Sequence, residues 1–169
     1  DSYIDAIVSH LKEFWEKNKR SEKLILSYHG IPNKYFKKGD IYHCFCQKTS
    51  RLIKEKLNLK DNEILTTFQS RLGPSEWLTP YTDETIISLA NNNQENMDIF
   101  SPGFASDCLE TIEELGIENK ENFLKNGGKN YNLIPCLNDS QYFISAISDI
   151  ILENTAHWNS RFGINIDSD

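Results

Sequence analysis

The stretch Leu24-Ile25-Leu26-Ser27-Tyr28-His29-Gly30 decides the fold. Its apolar residues follow one another closely, a pattern typical of a short strand that is buried on both faces of a parallel sheet. His29 ends this predicted strand, and Gly30-Ile31-Pro32 follows it as a rigid turn. We therefore expect the His29 ring to be held at one edge of a sheet.

Three further apolar runs predict strands, at intervals of about 30 residues, the length of a βαβ unit. These runs cover residues 64–68, 97–100 and 131–134. Helical periodicity predicts helices over residues 3–17, 44–57, 82–91, 107–126 and 142–152. The tail from Asn154 onward is too irregular for an assignment.

The regular alternation of helices and strands predicts an α/β fold with right-handed crossovers. We expect a doubly wound, four-stranded parallel sheet with helices on both faces. At about 150 residues per domain, residues 1–169 form a single domain. Sheets of this kind bind ligands outside the carboxyl ends of their strands, so the residues that follow each strand are the informative ones.

Composition narrows the class of protein. The chain has 38% hydrophobic and 25% charged residues, as globular proteins do, and its formal net charge of −7 argues against a nucleic-acid partner. Neither a transmembrane segment nor a secretory leader is expected, so we predict a cytoplasmic protein, with peripheral membrane attachment left open. Because the chain begins at Asp1 rather than at methionine, we expect a trimmed chain or part of a longer protein.

Two features at the carboxyl edge of the predicted sheet suggest a catalytic or metal-binding site. A neutral imidazole such as that of His29 is both a general base near pH 7 and a ligand for borderline metals. Glu110, Glu114 and Glu118 recur every four residues, so they line one face of a helix that starts at the same edge. The simpler alternatives are a loop-bonding histidine and a solvated acidic face, with Glu110 closing a capping box from Asp107.

Weaker signals surround this predicted site. Trp77 lies in a predicted loop at the same edge, where its ring either stacks on a flat apolar ligand or anchors its own loop. Cys44-x-Cys46 lacks the usual metal-binding spacing, so the four cysteines favour free thiols over an iron–sulfur cluster. Asn126-Gly127-Gly128-Lys129 follows a predicted helix, which indicates a helix cap and not a phosphate loop.

Three linked motifs resemble the ferrochelatases, the family that acts on protoporphyrin or coproporphyrin. They are Ser27-Tyr28-His29-Gly30-Ile31-Pro32; Thr67-Phe68-Gln69-Ser70-Arg71-Leu72-Gly73 with Trp77-Leu78-x-Pro80-x-Thr82-Asp83-Glu84; and Ser101-Pro102-Gly103-Phe104-Ala105-Ser106-Asp107-Cys108-Leu109-Glu110-Thr111. The order and spacing of these motifs match those of the family, and the resemblance runs over residues 24–152. It implies a lyase that inserts Fe²⁺ into protoporphyrin IX, the last step of protoheme biosynthesis.

The resemblance also implies that this chain is the carboxyl-terminal one of two similar halves, with the amino-terminal domain absent. It identifies His29 with the family's active-site histidine and Glu110 with the facing carboxylate, both as catalytic residues and metal ligands. Glu114 and Glu118 then match an acidic row toward an outer metal site, and Asp107 and Trp77 match substrate-binding residues. Iron–sulfur clusters occur in a subset of the family.

One departure from the family pattern is Cys108, which stands where animal members have histidine. The residues that grip the porphyrin from the other half have no counterpart here. Two other functions therefore stay open: a chelatase for another tetrapyrrole or metal, and a non-catalytic metal- or heme-binding domain.

Overall fold

The computed structural model describes residues 2–162. In chain order its elements are α1 (Ser2–Lys17), β1 (Lys23–His29), α2 (Asn33–Lys37), α3 (Tyr42–Leu57), β2 (Ile64–Gln69), α4 (Thr82–Asn91), β3 (Asn96–Phe100), a π-helix (Glu110–Asn119), α5 (Lys120–Lys125), β4 (Asn130–Leu133) and α6 (Gln141–Phe162). No helix within this range is both long and apolar enough to span a membrane.

The four strands form one parallel sheet in the order β2-β1-β3-β4. The chain thus moves outward in one direction from β1 to β2 and in the other from β3 to β4. Such a reversal of strand order opens a crevice at the carboxyl ends of the two central strands. His29 ends β1, so the predicted sheet and the predicted place of this histidine at the end of its strand are both confirmed.

Helices cover both faces of the sheet. On one face, α1, α3 and α6 bury apolar side chains such as Ile7 and Ile53 against β1 and β2. On the other, α4, the π-helix and α5 pack through Ile86, Leu115 and Phe123, each fully buried. The apolar run Leu24-Ile25-Leu26 of β1 is explained by this arrangement, because its side chains alternate between the two buried layers. The predicted doubly wound α/β class is confirmed.

The helices differ from the sequence expectations in three places. The turn after Gly30 contains the short helix α2. The segment expected as one α-helix from Asp107 starts as a loop through Cys108, continues as the π-helix and ends as α5. The last helix does not end at residue 152 but continues to Phe162, through the tail that had no assignment. The remainder of that tail, 163–169, lies outside the described residues.

Candidate active site at the carboxyl end of the sheet

His29 is fixed at the end of β1 by bonds to its backbone and its ring. The Tyr42 hydroxyl donates to the His29 carbonyl oxygen at 2.8 Å. Nδ1 of the ring lies 2.6 Å from the Gly30 carbonyl oxygen. Because a carbonyl can only accept, Nδ1 carries the hydrogen of the neutral ring. The lone pair of that ring is therefore on Nε2, where it is available to a proton or a metal ion.

Gly30 lets the chain turn in a crowded place. A Cβ at this position would lie 2.9 Å from the Gln69 carbonyl oxygen and 3.1 Å from Cε3 of Trp77. Its own N–H donates to the same Gln69 oxygen at 2.8 Å. Glycine is thus required because backbone and an aromatic ring both approach within contact distance.

Two aromatic rings flank the histidine. The Trp77 ring centroid lies 6.3 Å from that of His29, and the Phe104 centroid lies 6.4 Å from it. Trp77 also donates its indole N–H to the Leu72 carbonyl oxygen at 3.0 Å. The tryptophan therefore anchors its own loop and at the same time presents its ring beside His29.

Glu110 begins the π-helix and is near His29. Hydrogen bonds from its own backbone N–H and from the Cys108 thiol hold the pKa of Glu110 below its ordinary value, and the nearby His29 lowers it further. The side chain is consequently a carboxylate at neutral pH. Such a group attracts a cation and stabilises a protonated imidazole.

Glu114, one turn further along the π-helix, is held by the end of β2. Its Oε1 accepts from the Ser70 backbone N–H at 2.7 Å, and its Oε2 accepts from the Ser70 hydroxyl. Ser70 adopts φ = 64°, a left-handed conformation that aims both donors at one carboxylate. Glu118, by contrast, is exposed.

A cleft of about 640 Å³ joins the histidine to the acidic row. Its lining residues are His29, Phe68, Gln69, Ser70, Arg71, Leu72, Tyr81, Asp83, Leu109, Glu110, Glu113, Glu114, Glu118, Asn119 and Asn122. The structure thus brings His29, Glu110 and the two outer glutamates to one cavity. Trp77 and Asp107 do not line that cavity.

Asp107 bonds two loops together. Its carboxylate accepts from Asn138 Nδ2 at 2.7 Å, from the Cys136 N–H at 3.1 Å and from the Thr111 hydroxyl at 3.1 Å. All three donors belong to the protein, so the carboxylate is occupied within the fold. Its expected part in substrate binding stays a prediction.

Gln69 bears on the site too, although the sequence, which places it in the second ferrochelatase-like motif, assigned it no site role. It ends β2, is 3% exposed, and contacts the first turn of the π-helix. Its place just after the apolar run of β2 was the available signal, since such positions face the ligand edge of the sheet.

The cysteines are spread over different environments. Cys44 is exposed, Cys46 and Cys136 are buried, and Cys108 is partly buried. Within residues 2–162, no group of three or more His, Cys, Asp or Glu side chains could hold a metal ion. His29 and the acidic row therefore form an open pair of donor groups and not a closed metal cage.

Comparison with known proteins gives one consistent family. The family model described as Ferrochelatase matches residues 1–155. Curated relatives named "Ferrochelatase" include those of Marinobacter nauticus, 50% identical over 93% of this chain and 42% of the relative, and Teredinibacter turnerae, 48% identical over 93% and 43%. That of Pseudoalteromonas atlantica is 49% identical over 92% and 43%.

The chain thus spans less than half the length of these curated relatives. The family match nevertheless covers the whole sheet and every site residue described above. On this coverage and identity, the chain belongs to the ferrochelatase family.

Proposed function

We propose that this chain is the carboxyl-terminal domain of an enzyme that inserts Fe²⁺ into protoporphyrin IX to form protoheme. One observation carries the proposal: His29 and Glu110 line one open cleft, at the edge of the sheet where the strand order reverses. Family membership adds to it. The remaining wall of the porphyrin site then comes from a companion half. The relatives are long enough to contain one, because this chain matches only 42–43% of their length.

The residues suit the proton chemistry of the reaction. A free porphyrin carries two inner N–H protons, and both must leave as the divalent metal enters. Nε2 of His29 takes one of them, since Nδ1 already donates to the Gly30 carbonyl. The second goes to water or along the carboxylates of the cleft.

Glu110 has a different part in this proposal. Its pKa lies below the ordinary value, so it is a weak proton acceptor and stays negatively charged beside His29. It stabilises the imidazolium that forms on His29 and attracts the incoming Fe²⁺. A carboxylate holds Fe²⁺ less tightly than thiolates would, which suits a metal that must be passed on.

The test is anaerobic Fe²⁺ insertion, followed by porphyrin absorbance, with this chain alone and joined to the companion half. We expect turnover only in the joined protein and a loss of at least about tenfold in His29→Ala, equivalent to about 1.4 kcal/mol of barrier. His10→Gln, in α1, is the matched control.

Other results would count against the proposal. Turnover by the chain alone would contradict the division of the site between two halves. Porphyrin or iron binding without turnover in the joined protein would favour the non-catalytic binding domain. His29→Ala with near wild-type turnover would remove His29 from the mechanism.

A further inference from the structure

Gln69 is the one residue of β2 that bonds to both sides of the candidate site. Its backbone oxygen accepts from the Gly30 N–H at 2.8 Å, directly after His29. Its side-chain Nε2 donates to the Glu110 carbonyl oxygen at 2.9 Å and lies 3.4 Å from Oε2 of Glu114. Gln69 is also the register partner of His29 in the sheet.

The orientation of the Gln69 amide follows from its partners. Oε1 accepts from the Ser27 hydroxyl at 2.8 Å and lies 3.3 Å from the Ser101 hydroxyl. The partners on the other side, a carbonyl and a carboxylate, can only accept. Nε2 must therefore point toward the π-helix, because the reversed amide would place its oxygen against two acceptors.

Burial holds the Gln69 side-chain amide in one orientation. Gln69 is 3% exposed, while Ser27 and Ser101 are 0% and 1% exposed, so no bulk water competes for these bonds. A buried amide that loses a partner costs about 1–3 kcal/mol, which keeps it in one arrangement. The end of β2 thus sets where the first turn of the π-helix lies relative to β1.

We propose that Gln69 is a positioning residue that sets the distance and angle between His29 and Glu110. The proposal rests on the chelatase function given above, because a fixed spacing matters only if both groups act on one substrate. Gln69 itself contacts neither iron nor porphyrin in this proposal. It acts through the backbone of the residue after His29 and through the backbone of Glu110.

Comparing two substitutions isolates the donor side of the Gln69 amide, Nε2, from its acceptor side, Oε1. Gln69→Met keeps the length of the side chain and removes both the donor toward the π-helix and the acceptor of the Ser27 and Ser101 hydroxyls. Ser27→Ala is the matched control, because it removes a partner of Oε1 from the same buried network and leaves Nε2 in place. If the role of Gln69 were only structural, both variants would lose stability and activity in proportion.

The first readout is steady-state iron insertion by the joined protein. We expect Gln69→Met to lower kcat at least about tenfold while the porphyrin KM changes less than about twofold. We expect Ser27→Ala to keep kcat within about threefold of wild type, at a melting temperature similar to that of Gln69→Met. Equal kcat losses in the two variants, or none in Gln69→Met, would overturn the proposal.

The second readout does not depend on turnover. Hydrogen–deuterium exchange on the 169-residue chain follows the amides of residues 108–119. Faster exchange there in Gln69→Met than in Ser27→Ala supports the proposal, and equal exchange overturns it. If the wild-type joined protein inserts no iron, the proposed function fails. The exchange measurement still decides whether Gln69 fixes the position of the π-helix.

Discussion

Asp107 and Asn138 exchange two hydrogen bonds between the loops that follow β3 and β4. Asn138 Nδ2 donates to Asp107 Oδ2 at 2.7 Å, and the Asp107 N–H donates to Asn138 Oδ1 at 2.9 Å. Asn138 adopts φ = 49°, a left-handed conformation that asparagine tolerates. The pair fixes the loop that leads into the π-helix, one residue before Cys108.

The first prediction concerns acid stability. Burial raises the pKa of Asp107, but hydrogen bonds from Asn138 and Cys136 outweigh it and leave the pKa below its ordinary value. The carboxylate therefore stabilises the fold above its unfolded-state pKa, and this contribution is lost as pH falls through the folded-state value. We expect the wild-type free energy of unfolding to fall with acid more steeply than that of Asp107→Asn.

Urea unfolding between pH 3 and 7 measures this difference. At neutral pH we expect Asp107→Asn to be less stable by about 1–3 kcal/mol, because one of its acceptors becomes a donor that faces other donors. Asp139→Asn, at an exposed neighbouring position, is the control. Parallel stability curves for wild type and Asp107→Asn would contradict the argument.

The second prediction concerns Gly30. A methyl group there meets the Gln69 carbonyl oxygen and the Trp77 ring within 2.9–3.1 Å. We expect Gly30→Ala to lower the free energy of unfolding by about 1–3 kcal/mol through overpacking. Gly103→Ala is the control, since its added methyl lies at an ordinary 3.6 Å from Cδ1 of Tyr28. Equal urea midpoints for the two variants would contradict the prediction, because they would mean that the Trp77 loop moves at little cost to accommodate the methyl group.

The strands and the meeting of His29 with the acidic row were predictable because they depend on local patterns. An apolar run such as that of β1 marks a buried strand whatever surrounds it, and parallel strands end at a common edge. Glutamates spaced by four residues share a face in most helical geometries, so the row was found although the helix type was wrong.

The π-helix was not predictable because its supporting bonds come from distant residues. Gln69 donates to the Glu110 carbonyl oxygen at 2.9 Å, and the Tyr131 hydroxyl donates to that of Leu115 at 2.7 Å. Gly116 also allows close packing, since a Cβ there would lie 3.0 Å from Cδ2 of Leu133. Such tertiary contacts override the α-helical propensity that spacing alone reports.

The third prediction separates the inner and outer carboxylates in the joined protein. Glu110 is close enough to His29 to interact with it electrostatically, whereas Glu118 is exposed farther along the row. We expect Glu110→Gln to lower kcat at least about a hundredfold, because the imidazolium loses its counter-charge. We expect Glu118→Gln mainly to raise the KM for Fe²⁺. Similar effects of the two substitutions on kcat would contradict an outer delivery role for Glu118.

The last prediction tests whether Trp77 contacts the porphyrin in addition to anchoring its own loop. Trp77→Phe keeps an aromatic ring near His29 but loses the bond from the indole N–H to the Leu72 carbonyl oxygen. We expect it to cost about 0.5–1.5 kcal/mol of stability and to leave the porphyrin KM within about threefold. Trp77→Ala loses the ring as well, and we expect its porphyrin KM to rise about tenfold.

Steady-state kinetics and urea unfolding of both Trp77 variants separate ring contact from loop anchoring. A raised KM in Trp77→Ala alone assigns the effect to the ring, since both variants lack the indole N–H. An unchanged porphyrin KM in Trp77→Ala would restrict this tryptophan to holding its loop. The His29 and Trp77 ring centroids lie 6.3 Å apart, so we expect the first result, although Trp77 does not line the cleft itself.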